Sequence, residues 1–255
     1  MAYELVIGGK GTETDFGLHL LRSMELNPPE PKVYTVDIPG GDGVIDLTEA
    51  IAGDTVFSNR RQAFEFDAFG DFEAAKTGLS RFLHGRTYDY TIPGDPEYIY
   101  RGRFSVDSYR EIRTGRGRIR VEVDAQPYKS AGMRVHVVDA QAGANLVLKP
   151  GRGRVQPVFE SAMPCHVVAG GVDVVLPPGS HTAVGLTVRD GASDVYVNTG
   201  GALRGGTTTW SDLKERGITW GDLKGKRWHE VMYMAGAPAP NEAYQVKIAY
   251  EVLEL

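Results

Sequence analysis

The stretch "TGRGRIRVEVDAQ", Thr114 to Gln126, alternates with a period of two. Arg116, Arg118, Arg120, Glu122 and Asp124 share one face of an extended chain, and Ile119, Val121 and Val123 share the other. Successive side chains of a strand point to opposite faces, so this segment is predicted to be a strand buried on one side only. The same rhythm returns upstream in "VFSNRRQAFEFDAF" (56–69) and "YIYRGRFSVDSYREI" (98–112). Downstream it recurs in "RVHVVDA" (134–140), "PCHVVAGGVDVVLPPG" (164–179), "TAVGLTVRDGASDVYVNTGG" (182–201) and "AYQVKIAYEVLEL" (243–255). Glycine and proline punctuate these segments, and Gly170-Gly171 and Asp190-Gly191 have the composition of hairpin turns. The pattern predicts a mainly β protein.

One helix interrupts the first half. In "DFEAAKTGLSRFLHG" (71–85), Phe72, Ala75, Leu79, Phe82 and Leu83 recur at helical spacing, with Asp71 placed to cap the segment and Gly85 to stop it. Its apolar stripe is expected to lie on a sheet. The alternation breaks at "AQPYKSAGM" (125–133), where Pro127 cannot continue a central strand and the small polar residues after it read as a linker. The expected organisation is a domain of residues 1–130, a sheet with one helix and long connections, followed by a β-sandwich of residues 131–255.

At 255 residues with 42% hydrophobic content the chain can build a sizeable core. Cys165 is the single cysteine, which excludes an internal disulfide and a thiolate zinc site. No segment approaches the ~20 apolar residues of a membrane span, and the N-terminus lacks the pattern of a secretory leader, so neither membrane insertion nor export by that route is expected. A net charge of -5 argues against a general nucleic-acid coat.

The glycine-rich acidic loop "YTVDIPGGDGVIDLTEAI", Tyr34 to Ile51, invites a ligand-binding reading. Asp42, Asp46 and Glu49 do not follow the alternate-oxygen order of a calcium loop, and no lysine follows the glycines as a phosphate-cradling loop requires. The economical reading is a tight turn from Pro39 to Gly43, then a short helical turn begun by Asp46 or Thr48 with Glu49 near its positive end. His19, His84, His136, His166, His181 and His229 are scattered singly, without metal-ligand spacing. Cys165 and His166 are neighbours on a strand and point to opposite faces, which suits a buried thiol better than a nucleophile and its base. No nucleophile elbow and no paired-acid arrangement is legible, so no catalytic, cofactor or metal residues are assigned and a non-enzymatic protein is expected.

Two features stand out. The polar face of Arg116, Arg118, Arg120, Glu122 and Asp124 is basic at one end and acidic at the other. It reads either as a solvated face with cross-strand ion pairs, or as a subunit interface or channel wall. The second feature is "TWSDLKERGITWGDLKGKRW" (209–228), which repeats T-W-x-D-L-K and holds all three tryptophans, Trp210, Trp220 and Trp228. Each copy has a helix-capping threonine and a capping-box acid, so the rings form either a lid on the sandwich or a docking or sugar-stacking surface.

Taken in order, "IPGGDGVIDLTEAIAG", "FSNRRQAFEFDAFGD", the helix ending "LSRFLHG", "YDYTIPGDPEYIYRGRFSV" and "IRVEVDAQPYK" resemble the distal tail proteins of phages with long, flexible, non-contractile tails. "VQPVFE", "GGVDVVLPPG", "VRDGASDVYVNTGG" and "IAYEVLEL" look like the galectin-like sandwich that follows the ring domain in that family. The tryptophan-rich insertion, residues 203–230, departs from the family's shortest members. The resemblance implies an N-terminal β-sheet or split-barrel domain that assembles as a hexameric ring around a channel. DNA passes through that channel without being read. The implied partners are further copies of the chain, the tail tube protein and the tail-associated hub protein, with tape measure and receptor-binding proteins beyond them. The implied place is the virion tail tip, after assembly in the host cytoplasm, and no cofactor is implied. The alternative from another class is a carbohydrate-binding module that contacts host cell-wall polysaccharide.

Overall fold

The computed structural model describes residues 3–50, 52–141, 143–191, 193–199 and 244–255, with Thr219, Gly221 and Lys224 between. The protein is mainly β. Two compact units divide it, one of Met1–Ala131 with Glu254–Leu255 and one of Gly132–Leu253.

The first unit begins with β1 (Val6–Ile7), β2 (Lys10–Gly11), α1 (Thr12–Phe16), β3 (Leu18–Leu20) and β4 (Glu25–Leu26). Then come β5 (Thr35–Asp37), β6 (Val44–Asp46), β7 (Arg60–Phe69), α2 (Phe72–Leu83), β8 (Thr87–Ile92), β9 (Asp95–Arg113) and β10 (Arg116–Ala125). β10 lies between β7 and β9 and is antiparallel to both, so the strand that alternates most strictly in sequence is the centre of the sheet. Its inward row, Ile119, Val121 and Val123, meets Phe64 and Phe66 of β7 and Phe104 of β9 in one core. Burying each of these side chains contributes roughly 1.5–3 kcal/mol of transfer free energy before the entropy of ordering is set against it. Tyr90 sits at the heart of the core, 5.1 Å from Phe104 and 5.5 Å from Tyr100 by ring centroids, and its hydroxyl donates to Gln62 Oε1 at 2.5 Å. That bond explains how an amide is tolerated at 3% exposure.

α2 covers this core. Its apolar stripe buries Phe72, Leu79 and Leu83 with Ala75 and Phe82 packed beside them, as the periodicity predicts. Asp71 caps it by accepting a hydrogen bond from the Ala74 amide at 2.9 Å. The ring of Phe72 occupies the space above Gly117 of β10, where a built Cβ would come within 2.2 Å of it. The sheet thus approaches the helix most closely where it has no side chain.

The glycine-rich acidic loop turns the chain, and it does so as a hairpin arm. β5 and β6 pair only with each other, in the register Thr35↔Asp46 to Asp37↔Val44. Gly41 N–H donates to Ile38 O at the tip, and Asp46 Oδ1 accepts from the Thr48 amide at 2.9 Å where the short turn begins. Every residue from Pro31 to Asp46 is exposed.

Strand β11 (Lys129–Asp139) already occupies the segment that the sequence reads as a linker. Long-range contacts override the local breakers there. The guanidinium of Arg60, 6% exposed, donates to Pro127 O, while Asp95 accepts from Lys129 Nζ at 2.8 Å and from Tyr100 at 2.7 Å. Ser130 pairs with Ile99 of β9.

The second unit continues with β12 (Ala144–Val147), β13 (Val158–Ser161), β14 (Cys165–Ala169), β15 (Val172–Leu176), β16 (Gly179–Thr182), β17 (Asp194–Asn198) and β18 (Gln245–Glu254). One sheet runs β16-β13-β18-β11 and the other β12-β17-β14-β15. Phe159, Val246, Ile248 and Tyr250 from the first meet Val167, Val195 and Val197 from the second in a single core, which makes the unit a β-sandwich. Gly170 and Gly171 form the β14–β15 hairpin turn with φ of 55° and 82°, as their composition predicts. Asp190-Gly191 is a turn but not a hairpin. Before the turn Val188 makes only an isolated bridge to Val155, and beyond it β17 pairs with β12 and β14, so the turn does not join two paired strands.

Candidate functional site

The polar row of β10 is the candidate surface, and its neighbours decide what it is. In the antiparallel register Arg118 lies opposite Asp67 of β7, Arg120 opposite Glu65 and Asp124 opposite Arg61. Side chains directly across a strand pair are within reach of one another, and Asp67 and Glu65 answer Arg118 and Arg120. Asp67 receives Arg116 Nη2 at 2.9 Å and Arg118 Nε at 3.1 Å. Arg120 forms a two-pronged pair with Glu25, both contacts at 3.0 Å, which ties β4 to the central strand. Glu65, Asp107 and Glu122 each lie 3.7 Å from Arg120, so Glu122 belongs to the same network. Asp124 is exposed, between Arg61 of β7 and Arg103 of β9 in register.

Asp67 is the pivot. Its burial pushes the carboxyl up, but the two guanidinium hydrogen bonds outweigh burial and hold it below the usual aspartate range. Glu25 is also held low, chiefly by the Arg120 hydrogen bond. Arg116, Arg118, Arg120 and Glu122 thus each take part in an ion pair within the chain, and Asp124 is exposed.

Beside the ladder a cleft of about 410 Å³ opens between the sheet and the C-terminal end of α2, lined by Arg61, Arg103, Arg120, Glu122, Asp124 and His84. His84 is already engaged, its Nδ1 accepting from the Val106 amide at 3.1 Å. Among the described residues no group of three or more His, Cys, Asp or Glu side chains is placed to hold a metal ion. Cys165 is buried, and burial pushes its thiol up to about 11, far from a reactive thiolate. His166 turns to Asp173 at 2.5 Å, so the adjacent cysteine and histidine do not act as a pair. Trp210, Trp220 and Trp228 lie outside the described residues.

The sequence reading places the ladder on the correct face but misses Glu65 and Asp67, the acids that answer it. Their signal is present. "RQAFEFD" (61–67) carries a base and two acids at the same two-residue spacing, in the order that antiparallel pairing with Arg118, Arg120 and Asp124 requires.

No protein-family model and no curated protein matches the chain. Among solved structures it is similar to the SPP1 Dit (gp 19.1) protein, described as a paradigm of the hub adsorption apparatus in phages that infect Gram-positive hosts. The TM-score is 0.61 at 11% identity, over 99% of this chain and 99% of that one. The two chains share a fold. Among the described residues no helix is long and apolar enough to cross a membrane.

Proposed function

We propose that the protein is a structural subunit of a phage tail, a distal tail protein that joins the tail tube to the hub at the tail tip. The observation that carries this reading is the likeness to the SPP1 hub protein over nearly the whole of both chains. A chain that matched only a sandwich would say little, because sandwiches serve many functions. The order of sequence segments that resembles the distal tail family supports the same reading independently.

In this proposal residues 1–130 assemble as a hexameric ring around a channel that passes DNA unread. Residues 131–255 form a galectin-like sandwich, with the insertion 203–230, that holds receptor-binding proteins. The tail tube, hub and tape measure proteins are its neighbours, the virion tail tip is its place, and the host cytoplasm is where it assembles. The role is structural and needs no cofactor. The ladder Arg116 to Asp124 lies on a ring surface, either a subunit contact or the channel wall. Arg118, with 40% of its side chain exposed, and the exposed Asp124 are the members that can still face a neighbour.

Negative-stain imaging of the purified chain, alone and co-expressed with the hub protein of the same genome, tests the reading. Rings with six-fold symmetry and an open centre are expected. Monomers in both samples would overturn it.

A further inference from the structure

The hairpin arm and the outer edge of β9 are the two parts of the first unit with unmet physical needs. The arm is a stand-alone two-stranded ribbon, which is marginal in water by itself. It nonetheless exposes Val33, Tyr34, Val36, Ile38, Val44 and Ile45, with Val33 66% and Ile45 50% exposed. Tyr34, Val36, Ile38 and Ile45 share one face of the ribbon in this register, and an exposed apolar face of this kind marks a contact. The arm is also purely acidic. From Val33 to Asn59 it carries Asp37, Asp42, Asp46, Glu49 and Asp54 and no lysine or arginine.

β9 presents the converse. β8 pairs with it only as far as Arg103, and the backbone at Gly85 and Arg86 serves Phe104. His84 caps Val106. Beyond that point, among the described residues, no strand pairs with Asp107 to Arg113 on the side away from β10, and every residue there is exposed. An open edge of this length is a template for another strand. Its positive charge is carried by Arg110 and Arg113, since Asp107 lies 3.7 Å from Arg120 and Glu111 is set across from Gly117, and it is held at the cost of like charges set face to face. Arg110 lies directly across from Arg118, and Arg113 across from Arg116. Like charges opposite one another destabilise a strand pair. Asp67 answers Arg116 and Arg118 from β7, which leaves Arg110 and Arg113 without an acid among the described residues. The tip of this edge adds exposed apolar surface at Ile112, while Tyr109 is held by Ser80 and Lys76 of α2.

We infer that the β5–β6 arm of one copy docks along the Asp107–Arg113 edge of β9 in a second copy, with Asp37 and Asp42 set against Arg110 and Arg113. The occupant is a second copy because one chain carries both halves, an acidic arm and the unanswered Arg110 and Arg113, each with an open backbone edge. A contact between two different patches is head-to-tail, and repeated by a fixed rotation it closes a ring. The inference therefore rests on the ring reading and names its contact.

The test is a charge swap. One variant carries Asp37→Lys and Asp42→Lys, the other Arg110→Glu and Arg113→Glu. Alone, each sets like charges across the contact and should self-associate at least about tenfold more weakly than the wild type by sedimentation. Mixed, the lysine arm of one variant faces the glutamate edge of the other, and the acidic arm of the second faces the basic edge of the first. Every contact is then complementary, so the mixture should recover the wild-type assembly. All four positions are exposed, and unchanged urea midpoints would show that both variants fold. Rings that persist in either single variant, or a mixture that fails to assemble while the wild type does, would overturn the arm contact and leave the ring reading standing. A wild type that forms no ring alone or with its hub would overturn both.

Discussion

Asp67→Asn is expected to lose about 2–3 kcal/mol of stability at neutral pH, read as a lower urea midpoint at unchanged slope. Asp67 is 5% exposed and its carboxylate receives hydrogen bonds from two arginines, so the neutral amide leaves Arg116 without its counter-charge and Arg118 with only Glu65 at 3.7 Å. The loss stays below that of a fully buried pair because Arg116 and Arg118 keep 34% and 40% of their side chains in water. The pH dependence follows from the direction of the shift. The folded state holds the Asp67 carboxyl below its unfolded value, so its contribution is complete above the ordinary aspartate range near about 4 and is lost as pH falls through the folded value. The Asp67 contribution to wild-type stability should thus hold from neutral pH to about pH 5 and fall away below it, and the variant's decline from about pH 5 to about pH 3 should be shallower. Asp95, also held low, sustains part of the slope in both. Equal slopes in the two proteins would show that Asp67 does not carry the ion-pair network.

Gly117→Ala is expected to cost about 3 kcal/mol although it adds only a methyl group. That methyl would lie 2.2–2.4 Å from three atoms of the Phe72 ring, at the first residue of α2, so ring and helix must shift together. A double-mutant cycle isolates the cause. Phe72→Ala removes the obstacle at its own cost of about 3 kcal/mol, and Gly117→Ala in that background should be close to neutral. If the glycine substitution costs the same with and without the Phe72 ring, close approach is not what keeps position 117 free of a side chain.

Elements with sustained periodicity could be read from the sequence, and those made by distant partners could not. β10 and α2 carry their own signal, one by alternation over ten residues and the other by an apolar stripe with a capping aspartate. α1 spans only five residues and has no such stripe. The Glu4 carboxylate holds it from outside by accepting from the Glu13 and Thr14 amides at 2.9 and 3.0 Å. Strands β1 to β6 are two or three residues long, too short for a period to show. The Pro127 segment reads as a linker because its anchors, Arg60 and Asp95, lie more than thirty residues away. The ladder was half legible. Its face followed from spacing, but whether its partners lay in the chain or in a neighbour depended on register, and the Arg116–Asp67 pair alone spans 49 positions.

Native mass spectrometry of the wild-type chain, alone and co-expressed with the hub protein, tests the central claim most directly. A closed assembly of six copies, with no ladder of open intermediates, is the expected result. A chain that stays monomeric in both samples, or that grows without a fixed stoichiometry, would contradict the account.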